Sequence, residues 1–368
     1  MSRRLGVARA LVGTTLLPGD VAVDAEGAVL EVGVRPPGRG GVAVPGFVDL
    51  QVNGFAGVDF LAADAAGYRE AGRALAATGV VAFLPTFVSS PVGAYEAALR
   101  EVAGAGETGG ARALGVHLEG PFLSPRWHGA HNPEHLRDPD PALLERLLEL
   151  GPVRLVTLAP ELPGGLELVR ALVRRGVVVA LGHTDADAPA AHAAFNAGAR
   201  ALTHVHNAHR RWAARDPGVA GAALARGDVT VTAIVDGVHL APETVVQVAR
   251  CAGERLALVT DAIQAAGLGP GTYALGDRTV EVRGGEARLP DGTLAGSVIA
   301  MDRAVRNLVE LGVRLEEAVR AASWAPARLL GRADLGVLAP GRPAHLTVLG
   351  PDLEVRRTLV GGVEAFAA

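Results

Sequence analysis

The chain of 368 residues contains no lysine. Lysine and arginine together number 35, so all 35 are arginines. Without lysine the protein cannot form a Schiff base with a substrate or use a lysine as a general base. It also cannot hold a carbamylated lysine between two metal ions. The absence therefore excludes several common kinds of active site before any motif is considered.

Cysteine is almost absent as well, since Cys251 is the only one. A single cysteine excludes an intrachain disulfide and a zinc site made only of cysteines, and it fits a reducing compartment.

No run of residues approaches the ~20 apolar positions of a membrane-spanning helix. The apolar stretch near the N-terminus is interrupted by Gly13, Pro18 and Asp20, so it predicts a first β-strand rather than an export signal. We therefore expect a cytoplasmic protein without a membrane partner.

The sequence also lacks a large excess of positive or negative charge. The formal net charge is only −4, and the sequence has no basic stripe. Nucleic acid is therefore not an expected partner.

What the sequence does contain is a repeat of short apolar runs, each followed by a helical stretch such as Pro141–Leu150 or Leu166–Arg175. Between residues 45 and 265 the predicted strands are Phe47–Val52, Gly79–Thr86, Ala113–Glu119, Val153–Leu158, Val177–His183, Ala201–His204, Val229–Asp236 and Leu256–Asp261. Their nearly continuous hydrophobicity is typical of strands buried on both faces. Eight such units predict an α/β fold of the (β/α)8 TIM-barrel type, with the functional site at the C-terminal ends of the strands.

A doubly wound open sheet is the alternative architecture. It would be expected to carry a glycine-rich phosphate motif after its first strand, and here that strand leads to Gln51-Val52-Asn53-Gly54 instead.

The two ends of the chain have a different pattern, with short β-like runs separated by Gly and Pro turns. Residues 1–44 and 335–368 predict one small β-sandwich beside a barrel of residues 45–334. A hairpin is expected over Gly271–Gly292, because turn signals lie within that range. Closing helices are expected over Val298–Gly312 and Leu315–Gly331.

Four polar residues share one predicted context, the C-terminal end of a barrel strand. They are Glu119, His183, His204 and Asp261. Two imidazoles and one carboxylate form a three-ligand set with an open position, as in catalytic zinc sites. Asp261 is then the candidate for the base that moves a proton. Ordinary polar strand ends are the alternative interpretation. Lone histidines are more often structural, and we assign that role to His117, His128, His135, His192 and His345.

Several motifs occur in an order that is highly specific. They are Pro45–Asp49, His117–Phe122, His128–Pro133, Gly182–Thr184, Thr203-His204 with Asn207-Ala208, Asp236–His239, Val259–Ala262 and Leu294–Ser297. Over essentially its whole length, the chain resembles the N-acetylglucosamine-6-phosphate deacetylases of the amidohydrolase superfamily. The resemblance implies hydrolysis of N-acetyl-D-glucosamine 6-phosphate to D-glucosamine 6-phosphate and acetate.

The same resemblance implies roles for individual residues. Glu119, His183 and His204 would hold a divalent metal, Asp261 would be the general acid and base, and His131 would polarise the acetyl carbonyl. The residues implied to line the sugar site are Ala130, His131, Asn207, Ala208, His239, Leu294, Ala295 and Gly296. Arg215 is similar to an arginine that reaches the 6-phosphate across a homodimer interface, and a guanidinium suits phosphate because its rigid fork bonds two oxygens.

Two departures from the superfamily pattern alter these expectations. Gln51-Val52-Asn53 stands where many members carry two histidines for a second metal, so we expect one tightly held ion. Zinc is the first choice and iron the alternative, and a weak second site stays open. The segment from His206 to Trp212 is also unusually basic, which leaves the phosphate contacts less defined than the metal ligands.

Two rival functions differ in kind. One is hydrolysis of another N-acyl compound or of a cyclic amide, although cyclic amidases usually need the lysine-bridged pair of metals. The other is a barrel that has lost catalysis and serves as a scaffold, which would be expected to lack a metal ligand or the base.

Overall fold

The fold is given by a computed structural model, which describes residues 2–104 and 109–368. The strands in that part of the chain are β1 (Arg3–Arg4), β2 (Arg9–Val12), β3 (Thr15–Pro18), β4 (Asp20–Val23), β5 (Val29–Val34), β6 (Val42–Pro45), β7 (Phe47–Val52), β8 (Gly54–Phe55), β9 (Val58–Asp59), β10 (Val80–Phe87), β11 (Arg112–Ala113), β12 (Val116–Glu119), β13 (Val153–Leu158), β14 (Val178–Leu181), β15 (Ala201–Leu202), β16 (Thr230–Ala233), β17 (Leu256–Leu258), β18 (Gly271–Leu275), β19 (Arg278–Arg283), β20 (Glu286–Arg288), β21 (Leu346–Leu349), β22 (Val355–Val360) and β23 (Val363–Ala367).

The α-helices described over the same residues are α1 (Ala65–Ala76), α2 (Val92–Gly104), α3 (Pro141–Leu150), α4 (Gly165–Arg174), α5 (Ala188–Asn196), α6 (Gly218–Leu224), α7 (Pro242–Ala252), α8 (Met301–Glu310), α9 (Leu315–Ala322) and α10 (Trp324–Leu329). Short 3-10 turns lie at Pro125–Trp127, Pro133–His135 and Gly253–Arg255. None of the helices in the described ranges is both long enough and apolar enough to cross a membrane.

Parallel strands form the central barrel. Their order is β7, β10, β12, β13, β14, β15, β16 and β17, and the short β11 pairs with β10 just before β12, on the edge away from β7. The ring closes because the Asp261 N–H donates to the Gln51 carbonyl at 2.8 Å and the Asn53 N–H donates to the Ala262 carbonyl at 2.7 Å. The predicted (β/α)8 barrel is confirmed.

Burial explains why the barrel strands have few polar positions. Every residue of β7 and of β10 is buried, because one face of each strand lines the barrel interior and the other meets the surrounding helices. Helix α3 shows how the outer layer is attached. Asp140 caps its first turn, Pro141 occupies the first helical position, and Leu143, Leu144 and Leu147 are buried on one face.

Several barrel strands end earlier than predicted, and their backbone explains the difference. Strands β14, β15 and β17 stop two or three residues before His183, His204 and Asp261. Those three residues have φ of 48°, 28° and 49°, a left-handed conformation that cannot continue a strand. The chain therefore turns at each of the residues that the sequence pattern had placed inside a strand end.

The predicted helix over Leu315–Gly331 is divided into α9 and α10. Ser323 lies between them with φ −130° and ψ −66°, outside helical geometry. Pro326 supplies the reason, because its ring has no N–H and would clash with the carbonyl four residues earlier in a continuous helix. The predicted hairpin over Gly271–Gly292 contains three antiparallel strands, β18, β19 and β20.

The two ends of the chain share a six-stranded sheet in the order β23, β22, β21, β6, β2 and β3. Strand β6 is the seam of this sheet, the strand that joins its N-terminal and C-terminal parts, since it pairs in parallel with β2 and antiparallel with β21. A second sheet of β1, β4 and β5 lies nearby, and the buried cluster of the terminal region includes Val21, Ala43 and Leu346. The division into units at residues 44/45 and 334/335 stays a prediction.

Candidate active site

Three side chains from distant parts of the chain meet at the C-terminal end of the barrel. Glu119 ends β12, while His183 and His204 follow β14 and β15. Their potential ligand atoms all lie within 4.8 Å of one another, and all three residues are buried. Oε1 of Glu119 is 3.0 Å from Nε2 of His204 and 3.3 Å from Nε2 of His183. The parallel strands thus bring together the ligand set that the sequence predicted.

The ring nitrogens of His183 test whether a cation fits between these groups. Nδ1 of His183 is 2.9 Å from the Trp127 carbonyl, an oxygen that can only accept, so Nδ1 carries the proton and Nε2 presents a lone pair. That lone pair points at Nε2 of His204, 3.2 Å away, and at the Glu119 carboxylate. Electron-rich atoms so close together suit a positive ion, and a histidine ligand typically donates its other N–H to a carbonyl. The three residues form a divalent-metal site.

The electrostatics of the cluster follow from burial and from these contacts. Burial favours the neutral form of Glu119, but its contacts with His131, His183 and His204 outweigh burial and hold its pKa well below the usual value. Burial lowers the pKa of His183 to about 4. Burial would also lower the pKa of His204, but its contact with Glu119 outweighs burial, and the pKa of His204 is raised. Glu119 is therefore the charged centre of the cluster.

Asp261 lies beside the metal ligands and is held by two amides from the first barrel strand. The Asn53 amide donates to its Oδ1 at 2.7 Å, and the Gln51 amide donates to the same atom at 3.1 Å. Gln51 also donates to Oε1 of Glu119 at 2.8 Å. Burial, and then the charge of Glu119, raise the pKa of Asp261 to about 6. Such a value suits a group that must accept and return a proton near neutral pH.

Hydrogen bonds to neighbouring segments fix the backbone around Asp261. Thr260 donates its hydroxyl to the buried Asp49 carboxylate at 2.5 Å, and the Ser297 N–H donates to the Asp261 carbonyl at 2.8 Å. A Cβ at Gly296 would lie 2.7 Å from that same carbonyl oxygen, so a side chain there would displace the Asp261 backbone. The motif Leu294–Ser297 therefore helps to position the candidate base.

In His131 the ring proton lies on the other nitrogen from that in His183. Its Nδ1 accepts the N–H of Ser89 at 3.0 Å, so the ring proton is on Nε2. Nε2 lies 3.5 Å from Oε2 of Glu119, on the side of the metal ligands. His131 is thus fixed as a hydrogen-bond donor at the site.

These residues surround a cavity of about 400 Å³. The residues predicted for the site that line it are Glu119, Ala130, His131, His183, His204, Asn207, Ala208, His239, Asp261, Leu294 and Gly296. Ala295 is fully buried behind the wall, where its N–H donates to the Ala287 carbonyl. Arg215, which was also predicted for the site, is exposed and does not line this cavity.

The loop after His204 lines part of the cavity. His204, His206 and Ala208 all have positive φ, which alternates the handedness of the backbone and is known to turn successive N–H groups into one concavity. Arg210 is engaged by Asp216, with Nη2 to Oδ2 at 2.7 Å. Arg211, by contrast, lines the cavity, and it is the one arginine among the described residues that does so.

Some residues of this arrangement were not predicted from the sequence. Gln51 and Asn53 were expected only to be poor metal ligands, whereas their amides hold Glu119 and Asp261. The role of Ser89 could not be predicted, because its contact with His131 joins segments that only the folded barrel brings together. The one available signal was the position of Gln51 and Asn53 at the end of the first strand, where barrel residues reach the site.

Together, a closed parallel barrel, a buried Glu-His-His cluster at its C-terminal end and a neighbouring aspartate define the class of metal-dependent hydrolases. The sequence profile of the amidohydrolase family matches residues 42–365. The chain belongs to that family, as its sequence motifs predicted.

Individual relatives agree with this assignment. The chain is 40% identical to an N-acetylgalactosamine-6-phosphate deacetylase of Escherichia coli O157:H7, over 86% of each protein. It is also 40% identical to an N-acetylglucosamine-6-phosphate deacetylase of Bos taurus, over 88% of this chain and 83% of the relative. In structure it is similar to a mutant N-acetyl-D-glucosamine-6-phosphate deacetylase of Mycobacterium smegmatis in complex with N-acetyl-D-glucosamine-6-phosphate. The TM-score is 0.93 at 37% identity, covering 100% of this chain and 99% of the other.

Proposed function

We propose that this chain hydrolyses the acetamide bond of N-acetyl-D-glucosamine 6-phosphate and releases D-glucosamine 6-phosphate and acetate, in amino-sugar metabolism. The names of the relatives and the sugar phosphate bound to the mycobacterial protein support this substrate. One observation carries the chemistry. The amide of Gln51 bonds both Glu119 and Asp261, which keeps the metal ligands and the proposed base side by side in the cavity.

One divalent ion would be held by Glu119, His183 and His204. Zinc is the first choice and Fe²⁺ the alternative, because nitrogen and oxygen ligands suit both. When bound, such an ion acidifies a water molecule and withdraws charge from a carbonyl oxygen. The amides of Gln51 and Asn53 donate to carboxylates in the region where many superfamily members hold a second metal, which supports a single tightly bound ion.

Asp261 would move the proton through one particular oxygen. Both amides donate to its Oδ1, and among the described residues no side chain or backbone group donates to Oδ2. We assign Oδ2 as the atom that takes a proton from the attacking water and returns it to the sugar nitrogen as the C–N bond breaks. The C–O bond to the acetyl carbon forms as the water attacks, before the C–N bond breaks, so the products are acetate and the free amine of the sugar.

His131 would act on the acetyl group without transferring its proton. Because Ser89 fixes the ring proton on Nε2, His131 can donate a hydrogen bond to the acetyl oxygen. A donor fixed in advance at this position stabilises the negative charge that develops on that oxygen as water attacks.

The opposite end of the cavity would take the sugar and its phosphate. Asn207, Ala208 and His239 line the cavity, together with Arg211 from the same chain, and are the groups proposed to meet the sugar phosphate. Arg215 would reach the phosphate from the partner subunit of a homodimer, since it is exposed and outside the cavity of its own chain. We further propose that the enzyme is cytoplasmic, in keeping with its single cysteine.

The test is an acetate-release assay on three sugars with the metal-loaded protein. N-acetylglucosamine 6-phosphate should be turned over well, and unphosphorylated N-acetylglucosamine poorly. N-acetylgalactosamine 6-phosphate belongs in the same assay because a relative at 40% identity is named for it. Preference for that epimer would correct the sugar but keep the reaction. Release of no acetate from either phosphorylated sugar would contradict the proposal and favour a different N-acyl substrate.

A further inference from the structure

Asp236 and His239 form a closely joined pair at the mouth of the barrel, and no catalytic or binding role has yet been assigned to Asp236. Oδ2 of Asp236 lies 2.7 Å from Nδ1 of His239. The two side chains are only 9% and 6% exposed. Oδ1 of Asp236 accepts the N–H groups of Val238 and His239 at 2.8 and 2.9 Å. All of these contacts direct donors to one carboxylate, so Asp236 is ionised and Nδ1 of His239 carries a proton.

The location of His239 indicates which part of a ligand it meets. His239 lines the catalytic cavity, and it also lines an adjoining groove of about 740 Å³. Arg211 and His206 are common to both spaces as well. His239 therefore lies where the two cavities meet, beside the guanidinium of Arg211, whose positive charge favours an anionic group of a bound ligand.

The pair is suited to an anion for an electrostatic reason. A neutral His239 with its proton on Nδ1 would turn a lone pair toward the anion, which is repulsive. An imidazolium would instead donate Nε2–H to the anion while Asp236 compensates its charge on the other side, an arrangement of alternating charges in a mostly buried setting. Asp236 also orients the ring, because the short segment between the two residues is held by the two N–H contacts.

We propose that Asp236 is a positioning residue, which holds His239 as a charged donor to the phosphate of the substrate. The inference rests on the proposed function, because it assumes a phosphorylated sugar in the cavity. Asp236 itself does not line the catalytic cavity, so its effect on the substrate would pass through His239.

Asp236→Asn is the informative variant, because an amide oxygen can still accept the N–H groups of Val238 and His239 while the negative charge is removed. Loss of a charge-assisted contact should raise KM for N-acetylglucosamine 6-phosphate by about 10-fold or more, with a smaller change in kcat. Turnover of unphosphorylated N-acetylglucosamine should be nearly unchanged. An equal loss with both sugars would overturn the proposal, since it would mark Asp236 as a structural residue.

A double-variant comparison separates action through His239 from independent action. His239→Ala should show a similar loss with the phosphorylated sugar, and adding Asp236→Asn to it should cost almost nothing more. Losses that multiply would contradict the inference. Binding of glucose 6-phosphate and glucose to the metal-loaded proteins provides a readout without turnover. Asp236→Asn should weaken only the phosphorylated ligand, and equal weakening of both would again count against the proposal.

The ring itself can be observed by ¹⁵N NMR of His239. In the native protein with glucose 6-phosphate bound, both ring nitrogens should carry protons. A neutral ring in the native complex would overturn the charged-donor assignment. Failure of the proposed function is distinguishable, because the native enzyme would then release no acetate in the first place.

Discussion

The side-chain amide of Asn53 lies 2.7 Å from Oδ1 of Asp261 and directs an N–H at a carboxylate that burial would otherwise protonate. Residues 208 positions apart in the sequence are thus coupled at the point where the barrel closes. The contact leaves Oδ2 of Asp261 as the oxygen able to exchange a proton.

Asp261→Asn should therefore abolish proton transfer while preserving the shape of the site. We expect kcat to fall by at least ~100-fold, the lower end for general acid–base catalysis. Metal content should barely change, because Asp261 is outside the ligand cluster. Acetate release and elemental analysis measure the two effects, and Asp228→Asn, on an exposed ion pair with Arg226, is the matched control. Retention of most of the activity would remove Asp261 from its proposed role.

The metal ligands and their supporting amide should respond differently to substitution. Glu119→Gln, His183→Ala and His204→Ala should each lose both metal and activity, because three ligands leave little redundancy. Gln51→Ala should keep the ion but lower turnover, since Glu119 and Asp261 both lose a donor. Metal content is measured after gentle purification and compared with the native enzyme. An empty site in Gln51→Ala would make the single-ion assignment at the first strand wrong.

Three arginines of one loop give separable expectations for phosphate recognition. Arg215→Ala should reduce kcat/KM for the phosphorylated sugar by about 10- to 150-fold, the value of a charge-assisted hydrogen bond of ~1.5–3 kcal/mol. Arg211→Ala should also act selectively on that sugar. Arg210→Ala is the control, because its guanidinium already bonds Asp216. Equal effects on phosphorylated and unphosphorylated sugar would mark Arg215 as structural.

Mixing subunits tests whether Arg215 acts in the active site of its own chain or in that of the neighbouring subunit. If Arg215 crosses a dimer interface, a heterodimer of Arg215→Ala with Asp261→Asn contains one complete site. Mixing the two variants should then restore part of the activity on the phosphorylated sugar. No recovery in a mixture shown to exchange subunits would argue that Arg215 does not act in the neighbouring site.

His345 predicts a pH dependence of stability far from the active site. Burial lowers its pKa to about 4 from the ordinary value of 6.5, and its Nδ1 accepts the Gly361 N–H. Between pH 4 and 6.5 the unfolded chain therefore binds more protons than the folded chain, so stability falls as pH is lowered through that window. From pH 7 to pH 5 the native protein should lose about 2 kcal/mol more unfolding free energy than His345→Gln. Urea denaturation at both pH values measures this, and parallel curves for the two proteins would contradict it.

The barrel and the main chemical residues could be predicted because a parallel barrel gathers its strand ends at one mouth. Glu119, His183, His204 and Asp261 each stand at such an end, so their convergence followed from the repeat alone. Contacts that fix ring protons could not be predicted in this way. Those of His131 with Ser89 and of His183 with Trp127 depend on how loops cross the mouth, and spacing along the chain carries no such information.

The position of Arg215 illustrates a different limit. Its sequence motif suggests a phosphate contact, but its side chain is exposed in the single chain. Under the proposed homodimer, Arg215 would find its partner in the neighbouring site, so the folding of one chain gives it no local partner. The early ends of the barrel strands have a cause in the backbone instead, since His183, His204 and Asp261 adopt positive φ, which strand propensity does not predict.

The seam of the terminal sheet also affects how the protein is made. Strand β6 leaves the ribosome some 300 residues before its antiparallel neighbour β21, as the paired positions Val44 and Thr347 show. Until then, the open side of β6 is a row of unpaired peptide groups that another nascent chain can bind. A product that stops short of Leu346 keeps that open edge permanently, even if its barrel is complete. The last segment of the chain therefore also protects the enzyme against aggregation during synthesis.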